Sequence, residues 1–507
     1  MTSAPEPAGA LAVAVAEWCE RARRPGGVGA WLRAAEGAGW CAHPVRLAGG
    51  VDHADTRTGE VRPVVDSRAE PDGVLLKACG TRRAARCPPC AEVYRRDAFQ
   101  LVRAGLAGGK GVPESVGTHP MVFVTFTAPS FGPVHARRER GGTVHPCHPG
   151  KLGDHCAHGR RRACWHRHDG DDPILGEPVC ADCFDYDGAV VWNALAPELW
   201  RRTTIYLRRV LARLVGVSRA ELGRRVRVSY LKVAEFQRRG LVHYHAVIRL
   251  DGHDQSAEPG PVAPPDGFTV EMLAQAIREA ASAVTAPLPL PLALASGGAG
   301  GGWVGPRLIR FGWGEQLDLR VLNLSADHGD QGEGEGDGGD WPAARLAGYV
   351  AKYATKATES FGAGLDRPIR SAAELDHLDV PDHVARLVRA CWELGGRAGL
   401  AGLGLRRWAH MLGYGGHFTT KSRRYSTTFR ALRAARRSWQ NRRRHGSAVA
   451  LDRDGHVLPP EGVAVVALWE YRGSGYTTAG DAWLAAQMAV QAREMRRVAR
   501  EELRGAA

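Results

Sequence analysis

The strongest constraint on how this chain can fold lies in two runs rich in Val, Ile, Tyr and Phe. They extend from Val228 to Gln237 and from Leu241 to Ile248, and only Arg238-Arg239-Gly240 separates them. A three-residue break ending in Gly is a preferred hairpin connection, because Gly accepts the left-handed conformation that closes it. That loop length pairs Gln237 with Leu241, Phe236 with Val242 and Glu235 with His243. Side chains alternate between faces along a strand, so Glu235, His243 and His245 converge on one side of the sheet. A carboxylate and two imidazoles suit a divalent metal, Mn²⁺ or Mg²⁺ when oxygen ligands complete the shell. A four-residue loop would send Glu235 to the opposite face, so the inference is one about register. For His-Tyr-His by itself the plainer reading is the polar face of a half-exposed strand.

A second segment argues against the plainer reading. Arg345 to Lys356 is Ala-rich and lacks Pro, which favours a helix. Tyr349, Lys352, Tyr353 and Lys356 fall at i, i+3, i+4 and i+7, one helical face. Two phenols about 6 Å apart along the axis, flanked by ammonium groups, suit an anionic target such as phosphate.

These residues resemble the motifs of a known superfamily. His243-Tyr244-His245 is similar to the paired-histidine motif of the HUH endonucleases, and Tyr349-Val350-Ala351-Lys352-Tyr353 to their tyrosine motif. The two-tyrosine spacing is similar to that of the rolling-circle initiators of icosahedral single-stranded-DNA phages. Phe123-Val124-Thr125-Phe126-Thr127 resembles the first motif, a buried strand ending in threonine, and the three occur in the family's order. More narrowly, the blocks Cys79–Ala85, Trp192–Arg202 and Gly415–Arg424 resemble replication initiators of actinobacterial plasmids and integrative conjugative elements. This likeness spans roughly residues 40 to 490. Tyr244 departs from the bulky apolar residue usual between the histidines, although an aromatic ring can pack there. The expected fold is α+β: the resemblance implies an HUH-type antiparallel sheet with flanking helices, and the residues add zinc-binding modules and a mainly helical C-terminal region.

The chain has 507 residues and a formal net charge of +14. This is long enough for about two to four domains. The basic balance fits a nucleic-acid partner, since neutralising phosphates supplies non-specific affinity. Only seven of the 68 basic residues are Lys, and Ala and Gly are abundant, a bias that fits GC-rich coding, so Arg enrichment is not in itself evidence of phosphate recognition. No run of about 18 apolar residues is present, which argues against a membrane span. Met1 to Ala10 lacks a positive leader, and the expected location is cytoplasmic. There the eleven cysteines should stay reduced and serve metal rather than disulfides.

The expected organisation has three parts. Residues 1–115 form a small helical region with a zinc-binding module. Residues 116–360 form the nickase domain, interrupted by a Cys/His-rich module at about 145–187 and an acidic, Gly-rich loop at 326–340 that has nothing to bury. Residues 361–507 form a helical, basic DNA-binding region. Elements expected within these parts are a strand at Met121–Thr127 and helices at Pro197–Val215, Val270–Val284 and Ala479–Arg504.

The cysteine clusters carry a structural expectation. Cys79, Cys87 and Cys90 need a fourth ligand, best supplied by Cys41 with His43 as substitute. In the second cluster, Cys180-Ala181-Asp182-Cys183 is a ready knuckle, and Cys156 with Cys164 would complete a four-cysteine site. His158 or His168 could replace either. About two zinc ions are therefore expected, both structural, because four protein ligands leave no open position. Lys421, Arg423, Arg424, Arg430 and Arg433 begin a basic stretch interleaved with Tyr425, Phe429 and Trp439, suited to phosphates and bases. No Gly-x-x-x-x-Gly-Lys-Ser/Thr phosphate loop occurs, so a host helicase would have to unwind the template and a host polymerase extend it.

The resemblance implies a replication initiator acting on double-stranded origin DNA and single-stranded DNA. Tyr349 would attack the scissile phosphate, Glu235, His243 and His245 would hold the metal, Lys352 would steady the phosphate or phenolate, and Tyr353 would make a second cut. A relaxase or two-tyrosine transposase shares these motifs. A zinc-containing DNA-binding regulator without catalysis is the rival from another class.

Overall fold

The structure, a computed structural model, describes residues 8–23, 27–151, 153–253, 260–287, 310–322, 342–355, 361, 365 and 367–505. The acidic loop expected at 326–340, the Pro-Leu and Gly run beyond 287, and Lys356 lie outside the described residues. The protein is α+β, with antiparallel sheets and helices. Its chain divides into two compact units, Phe99–Thr427 and a second made of Met1–Ala98 with Thr428–Ala507.

The contiguous unit is organised by a five-stranded antiparallel sheet. Across the sheet its strands run Leu317–Val321, Met121–Phe126, Val242–Gly252, Val226–Phe236 and Thr419–Lys421. The two central strands form the hairpin, and Glu235 pairs with His243 and Phe236 with Val242, the register that the three-residue loop predicts. Gly240 closes the turn with φ of +76°. A side chain there would also strike Leu387, whose Cδ1 would lie 2.4 Å from the added carbon.

Even-numbered strand residues, among them Ala234, Phe236, Val242, Tyr244 and Ala246, enter the main hydrophobic core with the helices Tyr186–Leu214 and Val270–Ala283. Tyr244 is fully buried there beside Trp200 and Trp313, so the aromatic departure is accommodated by a ring-lined pocket. Lys232 also enters this face, its ammonium 3.9 Å from the Tyr244 ring. Asn193, buried on the long helix, clamps the hairpin turn. Its side-chain N–H groups donate to the Gly240 and Leu412 carbonyls at 2.9 and 2.8 Å, and its oxygen accepts from the Val242 N–H at 3.0 Å. Odd-numbered residues are left for the opposite face, where Glu235, His243 and His245 sit.

The other unit joins the two ends of the chain. Val45–Asp55 pairs along its length with Val463–Ser474, and the shorter Val61–Asp66 and Leu75–Lys77 pair with the same strand. Arg21 is buried between Asp481 and Asp72 at 2.6 and 2.9 Å. Trp31 packs edge-on against Trp18 and tilted against Tyr476.

Two expectations need correction. The region after residue 361 is mainly helical, as expected, but residues 361–427 belong to the sheet unit, and Val463–Ser474 is a 12-residue strand. Its Val, Trp and Tyr residues favour a strand. Most of its residues are exposed, so no core-facing alternation marked it. The N-terminal region likewise carries strands as well as helices.

Candidate active site and metal centres

On the odd face of the hairpin, the His243 and His245 Nε2 atoms lie 3.2 and 3.4 Å from one Glu235 oxygen. One ligand atom from each residue falls within 4.8 Å of the others, a spacing that one cation can bridge. Thr125, directly across the sheet from His245, holds its Nδ1 at 3.0 Å. That contact holds the ring with its Nε2 toward Glu235. The His245 side chain is buried, which holds its pKa below the ordinary imidazole value while Glu235 pulls the other way. The ring is therefore neutral near pH 7, the form that offers a lone pair. Three protein ligands leave coordination positions open, unlike a structural zinc site.

The helix Ala343–Tyr353 brings the two tyrosines onto this cluster. Leu346, Ala347, Val350 and Ala351 bury one stripe, which fixes the helix's rotation. Tyr349 meets His245 edge-on with ring centres 5.5 Å apart, and Tyr353 stacks on it at 5.2 Å. The two tyrosine rings are 4.7 Å apart, and Phe123 completes the aromatic enclosure of His245. Burial raises the Tyr349 phenol above its usual value, and a hydrogen bond from Tyr353 opposes this. Tyr349 therefore needs help to lose its proton. Lys352, one turn away, is exposed. Sequence reasoning missed the Thr125 contact and Asp318, which faces Thr125 across the strand pair and whose charge acts on both His245 and Tyr349. The period-2 alternation through Phe123 and Thr125 was the available signal for the threonine. Asp318 had none, because its short strand is fixed only by tertiary pairing.

The cysteines fall into closed groups. Cys41, Cys79, Cys87 and Cys90 come together, with sulfur separations of 3.6–3.7 Å. A disulfide would bring two sulfurs to about 2.05 Å. The edges of a tetrahedron around zinc, with Zn–S near 2.3 Å, are about 3.8 Å. The second expected group forms with His158 in the place of Cys164, the substitution that the sequence allowed. Cys156, Cys180 and Cys183 are joined by His158, and Cys164 lies instead with His135, Cys147 and His168. The reason is local: Cys164 pairs in a small bridge with His148, beside Cys147, while Cys156 turns back through its hydrogen bond to Arg160.

The five basic residues also part company. Lys421 donates to the carbonyls of Ser422, Arg423 and Ser426, so it closes its own turn. Arg423 and Arg424 open onto a cavity of about 550 Å³ that Arg208, Arg219 and Arg227 also line. Arg430 pairs with Asp454, and Arg433 with Asp97, in the other unit. The Arg430 pair is solvent-exposed and weak, so a phosphate could displace Asp454, whereas Asp97 is buried and holds Arg433 in the fold. Among the described residues no helix is long and apolar enough to cross a membrane.

Fold and site together define an antiparallel sheet protein that presents a three-ligand cluster to two phenols. The family model described as RepSA, replication initiator protein, pSAM2, matches residues 27–490. A replication initiator protein of Streptomyces ambofaciens is 43% identical over 475 residues, covering 92% of this chain and 91% of that protein. No solved structure matches. The chain belongs to the RepSA family of replication initiator proteins.

Proposed function

We propose that this initiator cuts one strand of its own plasmid or element origin and so starts rolling-circle replication, as an HUH endonuclease. The observation that carries the reading is the packing of Tyr349 and Tyr353 against His245 of the Glu235–His243–His245 cluster. The Tyr349 phenolic oxygen attacks the scissile phosphorus, a phosphorus–oxygen bond to tyrosine forms, and the bond to the 3′ oxygen breaks. That oxygen takes up a proton and becomes the 3′-hydroxyl that primes synthesis by a host polymerase. Glu235, His243 and His245 would hold Mn²⁺ or Mg²⁺, which supplies charge for the phosphate oxygens in the transition state. Thr125 holds the His245 ring with its Nε2 toward the cluster, and the exposed Lys352 is available to the phosphate.

Tyr353 adjoins Tyr349 closely enough to attack the regenerated junction while Tyr349 remains occupied, giving strand transfer rather than hydrolysis. Cys41, Cys79, Cys87 and Cys90 would hold one structural zinc, and Cys156, His158, Cys180 and Cys183 another. Arg423 and Arg424, with the arginines around their cavity, suit the phosphates of origin DNA.

The test is incubation with supercoiled plasmid carrying the protein's own origin and Mn²⁺ or Mg²⁺. A nick bearing the protein on its 5′ end through tyrosine is the expected product. A nick with a free 5′ phosphate, or origin binding without any cut, would overturn the reading. Cleavage at element ends instead of one origin would favour a transposase.

A further inference from the structure

The module between Gly132 and Cys183 has almost no interior of its own. Its buried residues, among those described, are Cys147, Cys156, His168, Gly176 and Cys180. Four of these five are metal-ligand types, and none is a branched aliphatic or aromatic side chain. A segment of this length cannot be held by hydrophobic burial when nothing apolar is buried. Two groups of potential ligands stand where the core should be, and only one was foreseeable from a knuckle spacing.

We propose that His135, Cys147, Cys164 and His168 hold a further zinc ion, and that this ion braces the turn of the catalytic hairpin. The Cys147 sulfur lies 3.8 Å from His135 Nδ1, and the Cys164 sulfur 3.6 Å from His168 Nε2. Zinc at about 2.3 Å from sulfur and 2.0–2.1 Å from nitrogen requires tetrahedral edges of about 3.5 Å between unlike ligands. The Cys147 sulfur also accepts the Ala136 N–H at 3.2 Å, a contact that suits a thiolate. Independently, His168 Nδ1 is held by Asp172 at 2.7 Å, the carboxylate–histidine arrangement that orients a metal-bound imidazole.

The same Asp172 begins the brace. Its other oxygen accepts the Ile174 N–H at 3.0 Å, and the His135 backbone bonds to both Gly176 and Glu177. The loop fixed in this way grips the hairpin turn. Arg238 donates to the Gly170 and Asp172 carbonyls at 2.7 and 3.1 Å. Gly176 approaches so closely that a Cβ would lie 2.5 Å from the Arg238 carbonyl carbon. Arg238 is three residues from Glu235. The ion would thus act on the catalytic ligands as a positioning element, with no open site for chemistry of its own. The proposal does not depend on DNA nicking.

The experiment uses the full chain, purified with zinc and without chelator. Elemental analysis should find three zinc ions per chain, one for each closed four-ligand group. X-ray absorption should average three sulfurs and one nitrogen per zinc. Cys147→Ser with Cys164→Ser should lower the count by one and raise the sulfur share. His168→Cys, which keeps four ligands, should retain the count and guards against simple misfolding. Asp172→Asn should weaken one zinc by about 10–100-fold in chelator competition. Hydrogen exchange at Gln237–Leu241 should quicken in the double variant. A count unchanged by the double substitution would overturn the site, and unchanged exchange with the ion gone would overturn the brace.

Discussion

The hairpin cluster and the Cys/His module solve opposite problems with similar side chains. On the hairpin, backbone pairing and a packed apolar face fix Glu235, His243 and His245 before any ion arrives. In the module between Gly132 and Cys183, the candidate ligand residues are themselves most of the interior among the described residues. A preformed site can leave coordination positions open for substrate, because its metal is not needed to hold the fold. A site that replaces a core must be closed. The contrast teaches that the apolar residues around a ligand set, more than the ligands, say whether an ion acts or only holds.

The largest expected effect comes from stripping metal. Strong chelation should unfold the module, since structural zinc binding is worth on the order of 10 kcal/mol or more, while the central sheet stays folded. Circular dichroism with limited proteolysis would check this: cuts should fall between residues 135 and 183 and around the Cys41, Cys79, Cys87 and Cys90 group, and spare the central sheet. Equal proteolysis of the sheet would erase the contrast. Next, replacing His243 and His245 with Ala should abolish Mn²⁺- or Mg²⁺-dependent nicking yet leave origin binding largely intact. Full nicking by the double variant would remove the metal assignment.

The tyrosine pair sharpens the comparison further. Tyr349→Phe should lose the first covalent product, because a phenyl ring has no nucleophilic oxygen. Tyr353→Phe should still nick but fail to recircularise the displaced strand, read by product analysis on denaturing gels. Normal strand transfer by Tyr353→Phe would leave one nucleophile, and adducts on Tyr353 alone would reverse the roles.

The smallest effect is on pH. Burial pushes His383 down to about 4, and the ring bonds the Arg239 carbonyl in the hairpin turn. Its folded value lies below the unfolded 6.5, so the unfolded chain binds more protons between those values. Stability is therefore fully present above pH about 6.5 and lost as pH falls toward 4, by on the order of 3 kcal/mol at most. Denaturant melts across this range should show the slope, and His383→Gln should flatten it. An unchanged slope would place the acid sensitivity elsewhere.

The legible parts of this molecule were those whose geometry is local. The three-residue loop set the hairpin register, and the i, i+4 spacing set the tyrosine face. The grouping of Cys164 was not legible, because evenly spaced ligands admit several partitions and His135 stands outside the obvious cluster. Asn193 is similar. Nothing in its neighbourhood announces that its amide reaches three backbone groups around the turn. Strand Val463–Ser474 was missed because its partner lies at the far end of the chain.

That distant pairing has a consequence for synthesis. Arg21 and Asp481 are 460 positions apart, and the whole sheet unit is made between them. At about 5–20 residues per second, Arg21 waits roughly 20–90 s for its partner to be translated. Meanwhile the contiguous unit can fold as it emerges, and the edge of Val45–Asp55 stays open to other chains. The birth order of this protein is thus inside first and ends last, and its window for misassembly is set by the ribosome's pace.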